Sequence, residues 1–193
     1  MLIVEGVTDA ILVRQFGRAW ARDDPLKSRF VDALTITVMG TRVGRWPIDL
    51  LASPNHEIVS RVAILTDTDK RAGKEFTAPA WLAARNSSIV RGFFSAPTLE
   101  PAVTPGNVEA VKAVLAGLGL ESPINLTTEA VDDIFRNAGQ RRKGEFALEL
   151  GAELSRRLEA GEPVTVPEHI REMLDYLYSD EKGYGADLPP ADQ

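Results

Sequence analysis

The sequence predicts an α/β protein with a mainly parallel sheet flanked by helices, and with an additional helical subdomain in the second half. Within residues 1–100, short apolar runs alternate with segments of helical periodicity, and beyond residue 100 only helical patterns follow. Strands that alternate with helices form parallel sheets. A length of 193 residues and a hydrophobic fraction of 44% are ordinary for a folded protein with one sizeable core.

The first half supplies the predicted strands. Residues 2–4 are an apolar run, residues 34–38 are β-branched and end at Met39-Gly40, and further runs span 61–66 and 88–94. Helical spacing covers 7–21, and short helices are expected at 47–52 and 79–86. We expect residues 1–100 to form the α/β core.

The second half changes character. Helical patterns span 107–118, 128–137, 144–159 and 167–178, with prolines between them. We expect residues 101–178 to complete the fold as its helical part. The last residues, 179–193, are rich in Gly, Pro and Asp and are expected to form a disordered tail.

Composition excludes several classes of protein. There is no cysteine, so disulfides, thiolate metal sites and cysteine nucleophiles are ruled out. The apolar runs are far shorter than the roughly 20 residues that span a bilayer, and the first residues lack the features of a signal peptide. A cytoplasmic protein without a membrane partner is expected. The net charge of −6 argues against nucleic-acid binding by bulk charge alone.

Acidic side chains follow the predicted strands. Glu5-Gly6 comes directly after the first strand, Asp67 and Asp69 after the third, and Glu100 after the fourth and a short loop. The carboxyl ends of parallel strands share one edge of the sheet, where ligands bind, so these acids are expected to converge. Asp9 lies at the start of the first helix, where a helix-capping role is equally expected.

Converging carboxylates repel one another, and their desolvation is costly. Hard divalent cations that prefer oxygen ligands are the natural compensation. Several carboxylates make two metals plausible, and two metals about 4 Å apart promote in-line displacement at phosphorus. The competing interpretation is that acids after strands serve only as turn residues and caps.

These residues resemble the Toprim domain, which has a Glu-Gly turn after its first strand and Asp-x-Asp after a later one. Here the matching stretches are VEGVTD and ILTDTD. More narrowly, the chain resembles the C-terminal nuclease region of the OLD (overcoming lysogenization defect) family. The segments LIVEGVTDA, ILTDTDK, TLEPAV and RRKGEFALELGAEL carry this resemblance, which spans most of residues 1–178.

The resemblance implies a metal-dependent nuclease that acts on DNA with two divalent ions, Mg²⁺ or Mn²⁺, whose site Ca²⁺ can also occupy. It implies metal ligation by Glu5, Asp9, Asp67, Asp69 and Glu100, and catalytic roles for Glu5, Asp67, Asp69 and Lys143. Gly6 would let the backbone pass close to the substrate. An ABC-type ATPase domain precedes this region in the family. No G-x-x-x-x-G-K-[ST] loop occurs here, so that domain is expected to lie outside this sequence, where it could also mediate oligomerisation.

Other residues receive weaker predictions. Candidate DNA-backbone contacts are Arg42, Arg45, Arg141 and Arg142, and candidate extra ligands or phosphate contacts are Ser95 and Thr98. His56 and His169 are expected to have surface roles, and Glu129, Asp132 and Asp133 are expected to form a solvated helix face.

Two other functions stay open. One is a Toprim module that binds DNA or a protein without catalysis. The other is a phosphatase of the haloacid-dehalogenase type in which Asp67 is the nucleophile.

Overall fold

The computed structural model describes residues 1–70 and 74–179, without the side chain of Gln140. The expected disordered tail lies, from residue 180 onward, outside the described residues. The strands are β1 Leu2–Val4, β2 Ile36–Val38, β3 Ala52–Ser53, β4 His56–Glu57, β5 Val62–Asp67 and β6 Val90–Ser95. The helices are α1 Val7–Trp20, α2 Pro25–Ala33, α3 Trp46–Leu51, α4 Ala80–Ala83, α5 Leu99–Ala102, α6 Val108–Gly117, α7 Thr128–Ala138, α8 Gln140–Glu159 and α9 Glu168–Tyr178.

A four-stranded, all-parallel sheet has the order β2-β1-β5-β6, which confirms the predicted fold class. The chain passes from β1 to β2 on one side, and β5 and β6 are added on the other side of β1. The order of strands therefore reverses between β1 and β5, and ligands of open α/β sheets bind at such a point, outside the carboxyl ends of the strands. Glu5 follows β1 and Asp67 ends β5, so both acids flank this crevice.

Each face of the sheet is covered by its own apolar cluster, because successive side chains of a strand point to opposite faces. One face packs against α1 and the helices of the second half, and its core includes Leu2, Phe16 and Phe146. The other face, with Ile3 and Ile64, packs against α3 and α4. Residues 101–178 thus share one core with the α/β part.

The second half approaches α1 closely through α8. A side chain added at Gly151 would lie 3.1 Å from Cγ2 of Ile11 and 3.7 Å from Cγ of Gln15, so the two helices leave little space between them. Phe146, fully buried, stacks edge-on against Phe135 of α7 at 4.8 Å between ring centroids. These contacts fix the first turns of α8 beside the sheet.

Several predicted boundaries and elements were wrong. Helix α2 was not predicted, although Asp24 caps it by accepting hydrogen bonds from the backbone N–H groups of Leu26 and Lys27, and Pro25 begins it. Helix α8 starts at residue 140 and not at 144, so Gly144 is helical and not a turn. Glu100 lies on the short helix α5. Among the described residues, no helix is both long enough and apolar enough to cross a membrane.

Candidate active site

Glu5, Asp9, Asp67, Glu100 and Lys143 form an electrostatically coupled group at the carboxyl edge of β1 and β5. The charges of the other four residues all shift the pKa of Asp67. The charges of Glu100, Glu5 and Lys143 also shift the pKa of Asp9. The five residues come from distant parts of the sequence. Topology brings them together, as the predicted convergence at one edge required.

Asp9 caps α1 and belongs to the acidic group at the same time. Its Oδ2 accepts a hydrogen bond from the backbone N–H of Gly6 at 2.8 Å, and the residue is 8% exposed. Burial raises the pKa of this carboxyl to about 6; the Gly6 bond opposes the rise, and the charges of Glu100 and Glu5 add to it. The two interpretations offered for Asp9 are therefore compatible.

Asp67 is the most perturbed acid of the group. Burial, together with the negative charges of Asp9 and Glu100 and against the opposing charge of Lys143, raises its pKa to about 8. A carboxylate that other carboxylates destabilise gains the most from a nearby cation. Asp67 is therefore the point at which a positive charge would be bound most favourably.

Glu100 and Lys143 form a buried ion pair. The ammonium of Lys143 lies 2.9 Å from Oε2 of Glu100, and the two side chains are 17% and 5% exposed. The hydroxyl of Thr98 donates to the same Oε2 at 2.7 Å. Helix α8 therefore positions Lys143 beside the acidic group, where we expected it to lie.

Glu5 and Asp69 have partners of their own. Glu5 accepts a hydrogen bond from the hydroxyl of Thr66, and Asp69 forms an ion pair with Arg42 at the exposed rim. Asp69 adopts a left-handed backbone (φ 54°), and its N–H donates to the carbonyl of Pro97 at 2.9 Å. Asp69 is thus more exposed to solvent than Asp9 and Glu100, and its carboxylate is paired with Arg42.

The donor chemistry of this group fits a hard divalent cation, because the acids offer only oxygen ligands and two of them ionise reluctantly. Within residues 1–70 and 74–179, however, no three His, Asp or Glu side chains are arranged as a ready-made metal site. The reason is visible in the contacts: Glu5, Asp9 and Glu100 each turn to a donor of the protein. Metal binding would have to replace these contacts.

The two loop hydroxyls suggested as extra ligands are already engaged. Thr98 donates to Glu100, and Ser95, only 1% exposed, has its Oγ 3.1 Å from Nε2 of His169. The expected surface role of His169 is therefore wrong. Its imidazole is half-buried on α9, and burial lowers its pKa to about 4. The other histidine, His56, is exposed as expected, but in β4 and not in a loop.

The four arginines suggested as DNA contacts all form ion pairs. Arg42 pairs with Asp69, Arg45 with Asp49, and both Arg141 and Arg142 with Glu145. Exposed pairs of this kind are weak, so a phosphate can still compete for these arginines. Their role as DNA contacts stays a prediction.

Helix α7 brings a further arginine towards the site. Arg136 donates to Asp132 at 2.8 Å, and this bond and charge, with smaller contributions from Asp133 and Asp69, raise the pKa of the guanidinium. Asp132 is 5% exposed, so its assignment to a solvated face was wrong, whereas Glu129 and Asp133 are exposed. Neither Arg136 nor His169 carried a recognisable sequence signal, since their spacing is that of ordinary amphipathic helices.

The fold of this chain is similar to that of a solved structure. The C-terminal region of the Burkholderia pseudomallei OLD protein matches with a TM-score of 0.58 and 20% sequence identity, over 91% of this chain and 94% of that chain. The chain therefore has an OLD C-terminal-like fold. No family model and no curated protein matches the sequence.

Proposed function

We propose that this chain is a metal-dependent endonuclease that hydrolyses DNA phosphodiester bonds, with a Toprim-type acidic centre. The observation that carries the proposal is the group of Asp9, Asp67 and Glu100 around one largely buried lysine, at the edge of the sheet where ligands bind. The likeness in fold to the C-terminal region of an OLD protein supports it.

In this proposal Glu5, Asp9, Asp67 and Glu100 hold two divalent cations, Mg²⁺ or Mn²⁺, and Asp69 joins them after leaving Arg42. When bound, such cations activate water and neutralise the charge that develops on a phosphodiester. Binding would lower the pKa of Asp67 and of Asp9, since a positive charge favours their ionised forms. The bound cations would thereby offset the mutual repulsion of the carboxylates.

Lys143 contributes a fixed positive charge. Its ammonium is held beside Glu100 in a largely buried position, where a preorganised donor is worth more than it would be in water. Negative charge gathers on the nonbridging and leaving oxygens during phosphodiester cleavage. Lys143 would stabilise that charge, and Thr98 would keep Glu100 oriented while the lysine does so.

Incubation with supercoiled plasmid and Mg²⁺ or Mn²⁺, beside a chromogenic phosphate monoester, tests the proposal. We expect nicking or linearisation that stops with EDTA, and no monoester hydrolysis. Asp67→Asn should abolish cleavage, whereas Asp23→Asn, an exposed acid elsewhere on the surface, should not.

Binding of DNA without any metal-dependent cleavage would favour the non-catalytic module. Hydrolysis of the monoester alone would favour the phosphatase.

A further inference from the structure

A cavity of about 400 Å³ opens beside the acidic group, within the size range of ligand sites. Glu5, Asp67 and Asp69 form one of its walls. Its floor includes Ile64 and Leu82, which belong to the apolar cluster on the sheet face that packs against α3 and α4. The cavity therefore lies on the sheet face opposite to α1 and α8, and Lys143 is not among its lining residues.

Two aromatic side chains line this cavity. Phe76 and Trp81 are both partly exposed, and Phe76 packs against Phe94 with 4.7 Å between ring centroids. The contact with Phe94 supports one face of Phe76. A flat aromatic ligand would find apolar aromatic surface here, with carboxylate and threonine oxygens close by.

The charges around the cavity restrict what can enter. Its lining includes four acids (Glu5, Asp67, Asp69 and Glu75), so without bound cations a phosphate is repelled from the interior. Arg42 and Lys70, both exposed, belong to the same lining and supply positive charge that attracts a phosphate backbone outside. The combination suits a ligand with a neutral aromatic part and an anionic part next to it.

We propose that the cavity receives one unstacked nucleobase of the DNA, adjacent to the phosphate that reaches the acidic group. This proposal rests on the proposed nuclease function and adds its substrate class, DNA that is single-stranded or frayed at the cut. A base paired in a duplex cannot enter such a cavity without leaving its stack. Every base has a π-face, so stacking on Phe76 and Trp81 would not require a particular sequence.

Binding of a 12-nucleotide, fluorescein-labelled single strand, followed by anisotropy in Ca²⁺, tests the base site without relying on cleavage. A set of otherwise identical strands carries one abasic residue at each position in turn. We expect one abasic position to weaken binding by about fivefold or more, the lower range for loss of one base–aromatic stack. The matching blunt duplex should bind less tightly than the intact strand.

Variants connect the abasic effect to the cavity. Trp81→Ala should weaken binding of the intact strand by a similar factor and remove the sensitivity to the abasic residue, and Trp81→Phe should retain both. Trp46→Ala is the matched control, because Trp46 is 63% exposed and does not line the cavity. Circular dichroism of each variant shows whether it is folded, and Phe76→Ala replaces Trp81→Ala if the latter is not.

The outcomes separate this proposal from the nuclease proposal. Plasmid cleavage together with single-strand binding that no abasic position affects would overturn the base site and leave the nuclease intact. Abasic sensitivity that depends on Trp81, in a protein that never cleaves DNA, would support the base site and overturn the nuclease. Equal losses in Trp46→Ala and Trp81→Ala would overturn the base site.

Discussion

At the scale of single residues, Lys143 links the acidic group to the helical half of the molecule. Lys143→Ala removes the positive charge 2.9 Å from Glu100. We expect cleavage to fall by about a hundredfold or more, as loss of one transition-state donor does. Lys112→Ala is the control, since Lys112 pairs with the exposed Glu109 and donates to the carbonyl of Ile124 at 2.6 Å, and not to an acid of the group.

The same variant has a structural consequence that separates the two roles of the lysine. Glu100 is 3% exposed, and a buried charge that loses its partner costs about 3–5 kcal/mol. We therefore expect a lower melting temperature without metal and recovery of much of the loss with Mg²⁺. A variant that is folded in Mg²⁺ and cleaves at the wild-type rate would show that the role of Lys143 is purely structural.

In the metal-free protein, ionisation of Asp67 lowers the stability of the folded state. Its folded-state pKa of about 8 lies above the ordinary 3.8, so the folded state binds more protons than the unfolded state between these values. Stability is therefore lost as pH rises from about 4 to 8. Asp67→Asn should raise the free energy of unfolding at pH 8 by at least about 1 kcal/mol. This lower bound is conservative, because a single pKa unit already corresponds to about 1.4 kcal/mol. At pH 4 the substitution should change the free energy of unfolding little.

Urea unfolding in EDTA at both pH values measures this effect, and the metal dependence provides the second half of the test. The wild type should be stabilised by Mg²⁺ at pH 8, and the variant much less. If the variant is destabilised at pH 8 in EDTA, Asp67 does not experience the repulsion described above.

The sequence predicted the acids of the site better than their surroundings. Glu5, Asp67 and Asp69 are visible because each follows a recognisable strand, and Lys143 is visible through the family motif. The partners of these side chains are not, since Thr66 reaching Glu5 and Arg42 reaching Asp69 depend on rotamers and loop geometry. The burial of His169 depends on how α9 packs against β6, which no local pattern encodes.

At the scale of elements, the contact between α9 and β6 contains a group that titrates. The pKa of His169 falls to about 4 from 6.5 through burial. Between these values the unfolded state binds the proton and the folded state does not, so stability is lost as pH falls from about 6.5 to 4. His169→Gln should remove this component, which we expect to be about 1–3 kcal/mol.

Chemical denaturation of wild type and variant at pH 7 and pH 4.5 gives the difference directly, since the other titrating groups are common to both proteins. His56→Gln is the matched control, because His56 is exposed. If the wild type and His169→Gln lose stability equally between these pH values, the titration of His169 does not contribute to the loss of stability in acid.

The packing of α1 against α8 depends on the absence of a side chain at Gly151. Gly151→Leu would place atoms against Ile11 and Gln15, and overpacking of this kind costs about 1–3 kcal/mol. A displaced α8 also carries Lys143 away, so cleavage should fall together with stability. Thermal melts and plasmid cleavage measure the two effects.

Gly117→Ala is the control for this substitution. It also adds a side chain to a helical glycine, but nothing lies within 4 Å of the added atom. Alanine favours the helix over glycine by roughly 0.5–1 kcal/mol, so we expect unchanged or slightly greater stability. A Gly151→Leu protein as stable as the wild type would show that the helix contact is loose.

At the scale of the whole molecule, alternation of strands and helices predicted the parallel sheet because periodicity is a local signal. The strand order and the position of α8 against α1 are non-local, and the sequence analysis did not predict them. Helix α2 was missed because its apolar face is narrow, with Val31 as its buried residue. The site is thus a property of topology, to which both halves of the chain contribute.

This shared core leads to the prediction that the chain cleaves DNA without ATP. The acids and Lys143 all lie within residues 1–178, and the helices of the second half complete the core beneath them. The sequence contains no nucleotide-binding loop of the Walker type. An ATPase domain, if it accompanies this region in a longer protein, would therefore not have to supply any of these acids or the lysine.

Plasmid cleavage in Mg²⁺ or Mn²⁺ should proceed at the same rate with ATP, with a non-hydrolysable analogue and with neither. Excess metal must be present throughout, because ATP chelates Mg²⁺ and would otherwise mimic inhibition. Lys143→Ala, assayed in parallel, identifies contaminating nuclease, since its residual activity should be about a hundredfold lower. Cleavage that begins only when ATP and an ATPase domain are added would mean that the acidic group needs a second domain to bring Asp69 and its neighbours onto the metals.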